Sequence, residues 1–329
     1  MSLPLISIII PVFNGRETIR RCLASFSLAT YPRKECLLVD DHSEDETVSL
    51  AAPFNVRIIR LDERRGAAHA RNVGAEASRG EILLFLDADV EIPPDCLDRV
   101  VRGFDDHPDV AALFGSYDDR PGSPNFISQY KNLFHHFIHQ TSGEEASTFW
   151  SACGAIRREA FFRVGKFREN CRMMEDIDLG YRLTLRNMTI RLIKDLQVKH
   201  LKHFSFWGLM KSDLCDRAIP WTILMWKHKQ PTRDLNLQPR HKASAAVLSG
   251  CVILAALGFL SASFLWGIPV LFILFFLLNR RFYLFFARKR GVLFALGVVP
   301  LHCLYYFYSS LGFVVGSCRY LLQTLSGKG

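Results

Sequence analysis

Two aspartates separated by one alanine, Asp87 and Asp89, stand directly after the apolar run at residues 82–86. Five consecutive apolar residues are typical of a buried strand, so we expect both carboxylates at the end of that strand. Carboxylates this close repel each other, and a divalent cation with the phosphates that it carries explains the pair best. The spacing therefore predicts a Mg²⁺ or Mn²⁺ site. The alternative is an acidic strand end in solvent.

The segments around this pair alternate between strand-like and helix-like patterns. Helical spacing of apolar residues predicts two helices, at residues 17–29 and 67–77. Apolar, β-branched runs predict four strands, at residues 5–13, 36–39, 56–61 and 82–86. Such alternation produces right-handed βαβ units and a parallel sheet, which binds ligands at the carboxyl ends of its strands. No GxGxxG or GxxxxGK[ST] motif is present, which excludes a dinucleotide fingerprint and a P-loop.

The C-terminal part of the chain is too apolar for an ordinary soluble domain. The chain has 329 residues, of which 49% are hydrophobic, and residues 243–279 contain no Asp, Glu, Lys or Arg. A helix needs only ~20 apolar residues to cross a bilayer. We therefore predict two or three membrane spans, and a pair of buried core helices is the alternative. The spans are expected at about residues 244–261, 264–279 and 291–316.

Charge is divided unevenly between the two parts of the chain. Residues 243–329 contain seven Lys or Arg and no acid, and the whole chain carries a net charge of +9. Basic residues beside apolar spans indicate anionic lipids and the cytoplasmic face of a membrane, and they argue against a nucleic-acid partner. We thus predict a multi-pass protein of the cell (inner) membrane with its N-terminal domain in the cytoplasm. Residues 1–4 are too short to be the charged region of a signal peptide, and the nine scattered cysteines favour reduced thiols.

Five motifs in series resemble the family 2 glycosyltransferases of the GT-A fold. They are ProValPheAsnGly at 11–15, LeuValAspAspHisSerGluAspGluThr at 38–47, the GlyAlaAlaHisAlaArgAsn segment at 66–81, LeuPheLeuAspAlaAspVal at 84–90 and MetGluAspIleAspLeuGlyTyrArg at 174–182. The resemblance covers residues 5–203. With the C-terminal spans, it is closest to membrane-anchored enzymes that use lipid-linked acceptors.

The resemblance implies roles for the acids at the strand ends. Asp89 would bind the cation directly, and Asp87 would act through the ribose or a metal-bound water. Ala88 would let the diphosphate approach the backbone. Asp41, or Asp40, would accept a hydrogen bond from the base N–H of uracil, and a helix N-cap with Ser43 is the alternative.

Other donor-side residues follow from the same resemblance. The backbone around Pro11, Val12, Phe13 and Asn14 would frame the base. Arg71 would contact the diphosphate or the base, and a solvated helix arginine is the alternative. A UDP-sugar is the preferred donor, with GDP- and dTDP-sugars left open. His200 matches a histidine that is a third metal ligand in some GT-A enzymes, with His203 as its competitor and a plain interfacial histidine as the alternative to both.

Catalysis is expected at Glu175 and Asp176. A hydroxyl is a poor nucleophile at neutral pH, so a carboxylate must take its proton as the new bond forms. By resemblance Asp176 is that base and Glu175 supports it or binds the acceptor. The alternative is an acidic first helical turn, which we accept for Asp178 and its i, i+4 partner Arg182.

The acceptor side is expected further along the chain. Cys153 and Gly154 would line the donor sugar, and Trp150 would either stack on a sugar or belong to the core. Processive synthases have a QxxRW motif after the catalytic domain, which holds diphosphate and acceptor. This chain instead has Arg217 and Trp221 in AspArgAlaIleProTrp, and these two residues would serve similar ends. That departure disfavours a polymer-extruding synthase.

We therefore expect three parts and one activity. The parts are a GT-A domain at residues 1–198, an amphipathic interfacial segment at 199–242 and a transmembrane region at 243–329. The activity is inverting, metal-dependent transfer from a nucleotide-sugar to a hydroxyl of a lipid-linked saccharide or lipid. The alternatives are a polyprenyl-phosphate glycosyltransferase and a non-catalytic scaffold that binds nucleotide-sugars or lipids.

Overall fold

The strands that the sequence predicts form one mixed sheet. The computed structural model describes residues 3–171, 173–229 and 235–326. Within these residues the sheet has nine strands: β1 Ile6–Val12, β2 Lys34–Asp40, β3 Arg57–Arg60, β4 Ile82–Leu86, β5 Val90–Glu91, β6 Val110–Tyr117, β7 Glu145–Ala146, β8 Cys153–Arg157 and β9 Thr189–His200. All residues of β1 and β4 are buried, as expected for the central strands of a sheet covered on both faces.

The two halves of the sheet differ in strand direction. Strands β3, β2, β1 and β4 are neighbours in this order and all parallel, as the alternating pattern predicts. Strand β8 is antiparallel to both β4 and β6, and β9 is parallel to β6. The predicted α/β sheet is thus confirmed: it is parallel throughout its first half and mixed in its second half.

Seven helices accompany this sheet in the described part of the first 204 residues: α1 Ile19–Ser27, α2 Thr47–Ala51, α3 Ala67–Ala77, α4 Cys96–Asp106, α5 Phe126–Thr141, α6 Arg158–Arg163 and α7 Glu175–Thr184. In α1 the apolar positions Ile19, Cys22, Leu23 and Phe26 are all buried. Their i, i+3, i+4, i+7 spacing places them on one helix face, which packs against the sheet core.

The chain divides into two units, the first comprising Met1–Phe204 and the second, here called the helical unit, comprising Ser205–Gly329. The described helices of the helical unit are α8 Phe206–Lys211, a π-helix Ser212–Ala218, α9 Ile219–His228, α10 Pro239–Leu257, α11 Gly267–Leu278, α12 Arg280–Arg290 and α13 Val292–Leu325. Short 3-10 helices lie at Leu235–Leu237 and Ala262–Trp266. Residues 230–234 and 327–329, which belong to the predicted interfacial segment and transmembrane region, lie outside the described residues.

Two helices of the helical unit, α10 and α13, are long and apolar enough to cross a membrane. A third span is possible if Ala262–Leu278 and Arg280–Arg290, which meet at a bend of 63°, act as one. The basic patch expected between spans is itself helical, since it forms α12. Helix α12 buries Phe282, Tyr283 and Phe286 and ends in Arg288, Lys289 and Arg290.

Candidate active site

The sheet edge at which β1 and β4 end gathers the predicted site residues. Strand β8 runs antiparallel to β4 with Cys153 opposite Leu86, so the loop before β8 lies beside Asp87. Strand β5 pairs with β9 at His200, which brings the end of β9 to Asp89. Segments that are far apart in the sequence thus meet around the AspAlaAsp motif.

His200 lies next to Asp89 and is held by two further residues. Its Nε2 is 3.5 Å from Asp89 Oδ2, and its Nδ1 is 2.5 Å from Asn132 Oδ1. The ring stacks on Tyr117 with centroids 4.2 Å apart and planes 10° from parallel. Burial raises the pKa of the Asp89 carboxyl, but the hydrogen bond and charge of His200 outweigh burial, so its pKa lies below the ordinary value.

Arg71 connects the AspAlaAsp motif to the start of α7. Its guanidinium donates to Asp87 Oδ1 at 2.8 Å and to Glu175 Oε1 at 2.5 Å. Burial raises the pKa of both carboxyls, because one guanidinium shared between two acids offsets the loss of water only in part. The alternative of a solvated arginine is wrong, since Arg71 is 4% exposed.

Asp176 has a different environment from its neighbour Glu175. Its Oδ2 accepts hydrogen bonds from the N–H and the Oγ of Ser151 at 3.2 and 3.3 Å, and its Oδ1 accepts one from the N–H of Ile177 at 2.8 Å. The helix begins abruptly after Met174, whose φ of 67° is left-handed. Glu175 is buried and ion-paired, whereas Asp176 is half-buried and hydrogen-bonded to neutral groups.

Two glycines permit close packing around Ser151. A Cβ on Gly180 of α7 would lie 2.4 Å from the backbone N of Phe149, and one on Gly154 would lie 2.4 Å from the carbonyl oxygen of Trp150. Both contacts are with backbone atoms, which cannot move aside as a flexible side chain can. Gly154 is therefore explained by packing, and Gly180 sets how near α7 lies to the loop that carries Ser151.

The acids expected to contact the base are buried and already hydrogen-bonded. Asp41 accepts from the backbone N–H groups of Arg65 and Gly66, both at 2.8 Å, and so orders the entry into α3. Asp40 accepts from the N–H of Ser43 at 3.1 Å. This contact closes a turn rather than capping a helix, because α2 begins beyond it. The base-binding role of these acids stays a prediction.

The end of β1 leads into the loop predicted to frame the base. Pro11 and Val12 are buried in the strand, and the guanidinium of Arg64 lies 3.8 Å from the ring centroid of Phe13. Asn14 has a φ of 49°, so the chain turns sharply there. Ala88 is half-buried between the two motif aspartates.

The residues predicted on the acceptor side belong to both units of the chain. Trp150 is half-buried with its ring against Tyr117, 4.7 Å between centroids, so it is at least partly a core residue. Cys153 is fully buried in the core, and its side chain does not line an open site. Arg217 lies in the π-helix and Trp221 in α9, both in the helical unit.

The predicted metal ligands assemble only in part. No group of three or more His, Cys, Asp or Glu with metal-binding geometry exists among the described residues, and Asp87 pairs with Arg71 instead. Asp89 and His200 do lie together, and Asp89 Oδ1 is buried with no hydrogen-bond partner within the described chain. One carboxylate and one imidazole fit a Mg²⁺ or Mn²⁺ that takes its other ligands from water or a diphosphate. His203 contacts Ser123 rather than Asp89.

Three side chains of this region were not predicted. Ser151 contacts Asp176, Asn132 contacts His200, and Glu169 accepts from Asn72 Nδ2 at 3.1 Å ahead of α7. A polar residue on the buried face of α5 is a signal that could have indicated Asn132. No local pattern points to Ser151 or Glu169, because their partners are distant in sequence.

The family model "Glycosyl transferase family 2" matches residues 7–165. Glycosyltransferase AglE of Haloferax volcanii is 42% identical over 107 residues, which are 30% of this chain and 35% of that protein. An uncharacterized glycosyltransferase of Haemophilus influenzae is 29% identical over 191 residues, which are 54% of this chain and 62% of that protein. The chain thus spans less than two thirds of each of these relatives.

The fold is similar to that of a mannosyltransferase from Pyrobaculum calidifontis, solved in complex with GDP-Man and Mn²⁺. The TM-score is 0.60 at 18% sequence identity, and the match covers 98% of this chain and 88% of the other. At this identity the likeness establishes the GT-A fold alone.

Proposed function

Because the chain carries a family 2 glycosyltransferase domain with the GT-A fold, we propose that it is an inverting, metal-dependent glycosyltransferase of the cell membrane. Its donor is a nucleotide-sugar, preferably a UDP-sugar. Its acceptor is a hydroxyl of a lipid-linked saccharide or a lipid, in cell-envelope glycan or glycolipid synthesis.

The different environments of Glu175 and Asp176 carry this proposal. Glu175 forms an ion pair with Arg71, whereas the half-buried Asp176 accepts hydrogen bonds from Ser151 and Ile177. A carboxylate that is fixed in place and not neutralised by an arginine is suited to take a proton from an acceptor hydroxyl. Direct attack by that hydroxyl is a single displacement, which inverts the anomeric carbon.

The other site residues would bind and orient the donor. Asp89 and His200 are the residues that would hold the cation, and a bound Mg²⁺ or Mn²⁺ supplies Lewis-acid stabilisation of a diphosphate leaving group. Asp87, paired with Arg71, would hydrogen-bond the ribose or a water. GDP- and dTDP-sugars are alternative donors, and GDP-Man is the ligand in the Pyrobaculum calidifontis enzyme.

The membrane placement is part of the proposal. Helices α10 and α13 supply two spans, and the absence of acids from residues 235–329 favours contact with anionic lipids. With the basic residues of α12 on the cytoplasmic side and three spans, the catalytic domain is cytoplasmic and the C-terminus lies outside. Reporter fusions after Arg290 and at Gly329 should then report opposite sides of the membrane. Two reports from one side would contradict the three-span arrangement.

The cation requirement is tested with the full-length protein in nanodiscs. We expect sugar transfer and donor hydrolysis to stop in EDTA, to return with Mn²⁺, and to be lost in Asp89→Ala. Asp105→Ala, which removes an exposed acid from α4, is the matched control and should retain activity. Undiminished turnover in EDTA or in Asp89→Ala would rule out the cation.

The acceptor is identified by mass spectrometry of lipids from cells with and without the protein. A lipid that gains a sugar on a hydroxyl supports the proposal. A sugar on a polyprenyl monophosphate favours the alternative acceptor class. No lipid change, together with nucleotide binding but no turnover, favours a non-catalytic scaffold.

A further inference from the structure

Asn132 makes a buried contact that neither the fold nor a helix cap explains. It lies in the interior of α5 and is 1% exposed. Its Oδ1 is 2.5 Å from Nδ1 of His200, while its Nδ2 has no hydrogen-bond partner within residues 3–171, 173–229 and 235–326. A buried amide with an unpaired donor is unfavourable, so an apolar residue would be preferred here if packing alone mattered.

The contact decides which imidazole nitrogen of His200 carries a proton. An amide oxygen only accepts hydrogen bonds, so the nitrogen that faces it, Nδ1, must be the donor. The hydrogen bond to Asp89 belongs to the imidazolium, in which Nε2 is protonated as well. When His200 is neutral and Nδ1 keeps its proton, the lone pair resides on Nε2. That nitrogen is the one 3.5 Å from Asp89 Oδ2, on the side of the carboxylate that would hold the cation.

Two other restraints act on His200, and neither can choose the tautomer. The pairing of β5 with β9 fixes the backbone of His200, and the stack on Tyr117 fixes the plane of its ring. Both restraints act equally on the two tautomers, whereas the Asn132 amide distinguishes them.

We propose that Asn132 is a positioning residue that holds His200 as its Nδ1–H tautomer and so presents Nε2, together with the Asp89 carboxylate, to a divalent cation. This inference rests on the cation site of the proposed function. Partners of this kind orient metal-binding histidines, and their loss typically lowers metal affinity by ~10–100-fold.

The test measures Mn²⁺ binding to the full-length protein without substrate, by the electron paramagnetic resonance of free Mn²⁺. Asn132→Leu removes the acceptor, and we expect it to lower Mn²⁺ affinity by ~10–100-fold. Asn132→Asp keeps an acceptor oxygen and should restore most of the affinity. In His200→Ala the same Asn132→Leu change should have no further effect, because the residue acts only through His200.

A second histidine provides the matched control. His203 contacts Ser123 with Nδ1 3.1 Å from Oγ, three positions from His200 in the sequence. Ser123→Ala removes that contact and should leave Mn²⁺ affinity unchanged. In ¹⁵N-histidine spectra of the neutral imidazoles, the signal that disappears in His200→Ala should show the Nδ1–H tautomer in the wild type and lose it in Asn132→Leu.

The outcomes separate this inference from its premise. If His200→Ala weakens Mn²⁺ binding and Asn132→Leu does not, the positioning role is wrong and the cation site stands. If His200→Ala binds Mn²⁺ normally, the positioning role and His200 as a ligand both fail, and the Asp89→Ala test still decides the cation site. If Asn132→Leu does not fold, the positioning role is tested by the tautomer of His200 in the wild type and by Mn²⁺ affinity in Asn132→Asp. An Nε2–H tautomer in the wild type overturns the inference.

Discussion

The first unit and the helical unit bury polar groups in different ways. In the first unit, two buried arginines form ion pairs with acids: Arg71 pairs with Asp87 and Glu175, and Arg182 pairs with Asp178 at 2.7 Å. In the helical unit, Tyr308 of α13 donates to the buried Asp213 of the π-helix at 2.6 Å. Residues 239–325 themselves contain no acid, and three buried pairs among them are neutral. They are His241 with Tyr306 at 2.7 Å, Tyr283 with His302 at 3.0 Å and Asn279 with Ser244 at 2.9 Å.

The proposed placement of the helical unit in a membrane accounts for this difference. A domain in water can bury an ion pair if the partner and additional hydrogen bonds offset the loss of hydration. Helices in a bilayer have no water nearby, and charged side chains there are costly, so neutral hydrogen bonds join them instead. Asp176 of the first unit differs from these paired acids, because it is hydrogen-bonded but has no ion pair among the described residues.

The largest expected effect is at Asp176. Asp176→Asn keeps the shape and the contacts of the side chain but removes its ability to take a proton, so turnover should fall by ~10²–10⁴ with donor binding retained. Steady-state rates and donor affinity of the purified protein measure this. Near-normal turnover with a polyprenyl phosphate, already an anionic nucleophile, would favour that acceptor class instead.

Removal of a buried arginine should give the next largest effect. Arg71→Met leaves Asp87 and Glu175 without a cationic partner, and we expect the free energy of unfolding to fall by ~3–5 kcal/mol with loss of activity. Arg182→Met is the control. Asp178 keeps its ion pair with Arg168 at 3.2 Å in this variant, so the free energy of unfolding should fall less than in Arg71→Met. Assayed below both melting temperatures, Arg182→Met should remain active. Equal activity in the two variants would contradict a role for Arg71 in the site.

A methyl group at Gly180 should have an intermediate effect. Gly180→Ala forces α7 away from the backbone of Thr148 and Phe149, which should cost ~1–3 kcal/mol of stability. The same movement separates Asp176 from Ser151, so turnover should fall as well. Gly143→Ala is the control, because a Cβ there would meet nothing within 4 Å. If Gly180→Ala were stable but inactive, the added methyl group would act only through the position of Asp176 relative to Ser151.

The smallest effect is expected in the helical unit. Tyr306→Phe removes one neutral hydrogen bond to His241 and should cost only ~0.6 kcal/mol, the usual size for such bonds in membrane helices. Denaturation in detergent measures this change. A loss as large as that of Arg71→Met would mean that the helical unit depends on its polar pairs as strongly as the first unit does.

The sequence predicted elements better than it predicted contacts. Strand β1 and the buried face of α1 follow from periodicity within a single segment, and both were confirmed. The antiparallel insertion of β8 between β4 and β6 has no local signature. The bond from Ser151 to Asp176 joins residues 25 apart and that from Asn132 to His200 joins residues 68 apart. Such contacts depend on the whole sheet, so residue patterns alone could not indicate them.

The left-handed residue before α7 has a consequence for which substitutions the chain tolerates. Successive helix residues are rotated by ~100°, so the abrupt start after Met174 directs Glu175 to Arg71 and Asp176 to Ser151. A φ of 67° is least costly for Gly and Asn and most costly for Val and Ile. In a library of all substitutions at position 174, survival should follow this backbone preference rather than size or hydrophobicity. The backbone conformation of Met174, which takes no part in the chemistry, thus determines which of two adjacent carboxylates contacts Arg71 and which contacts Ser151.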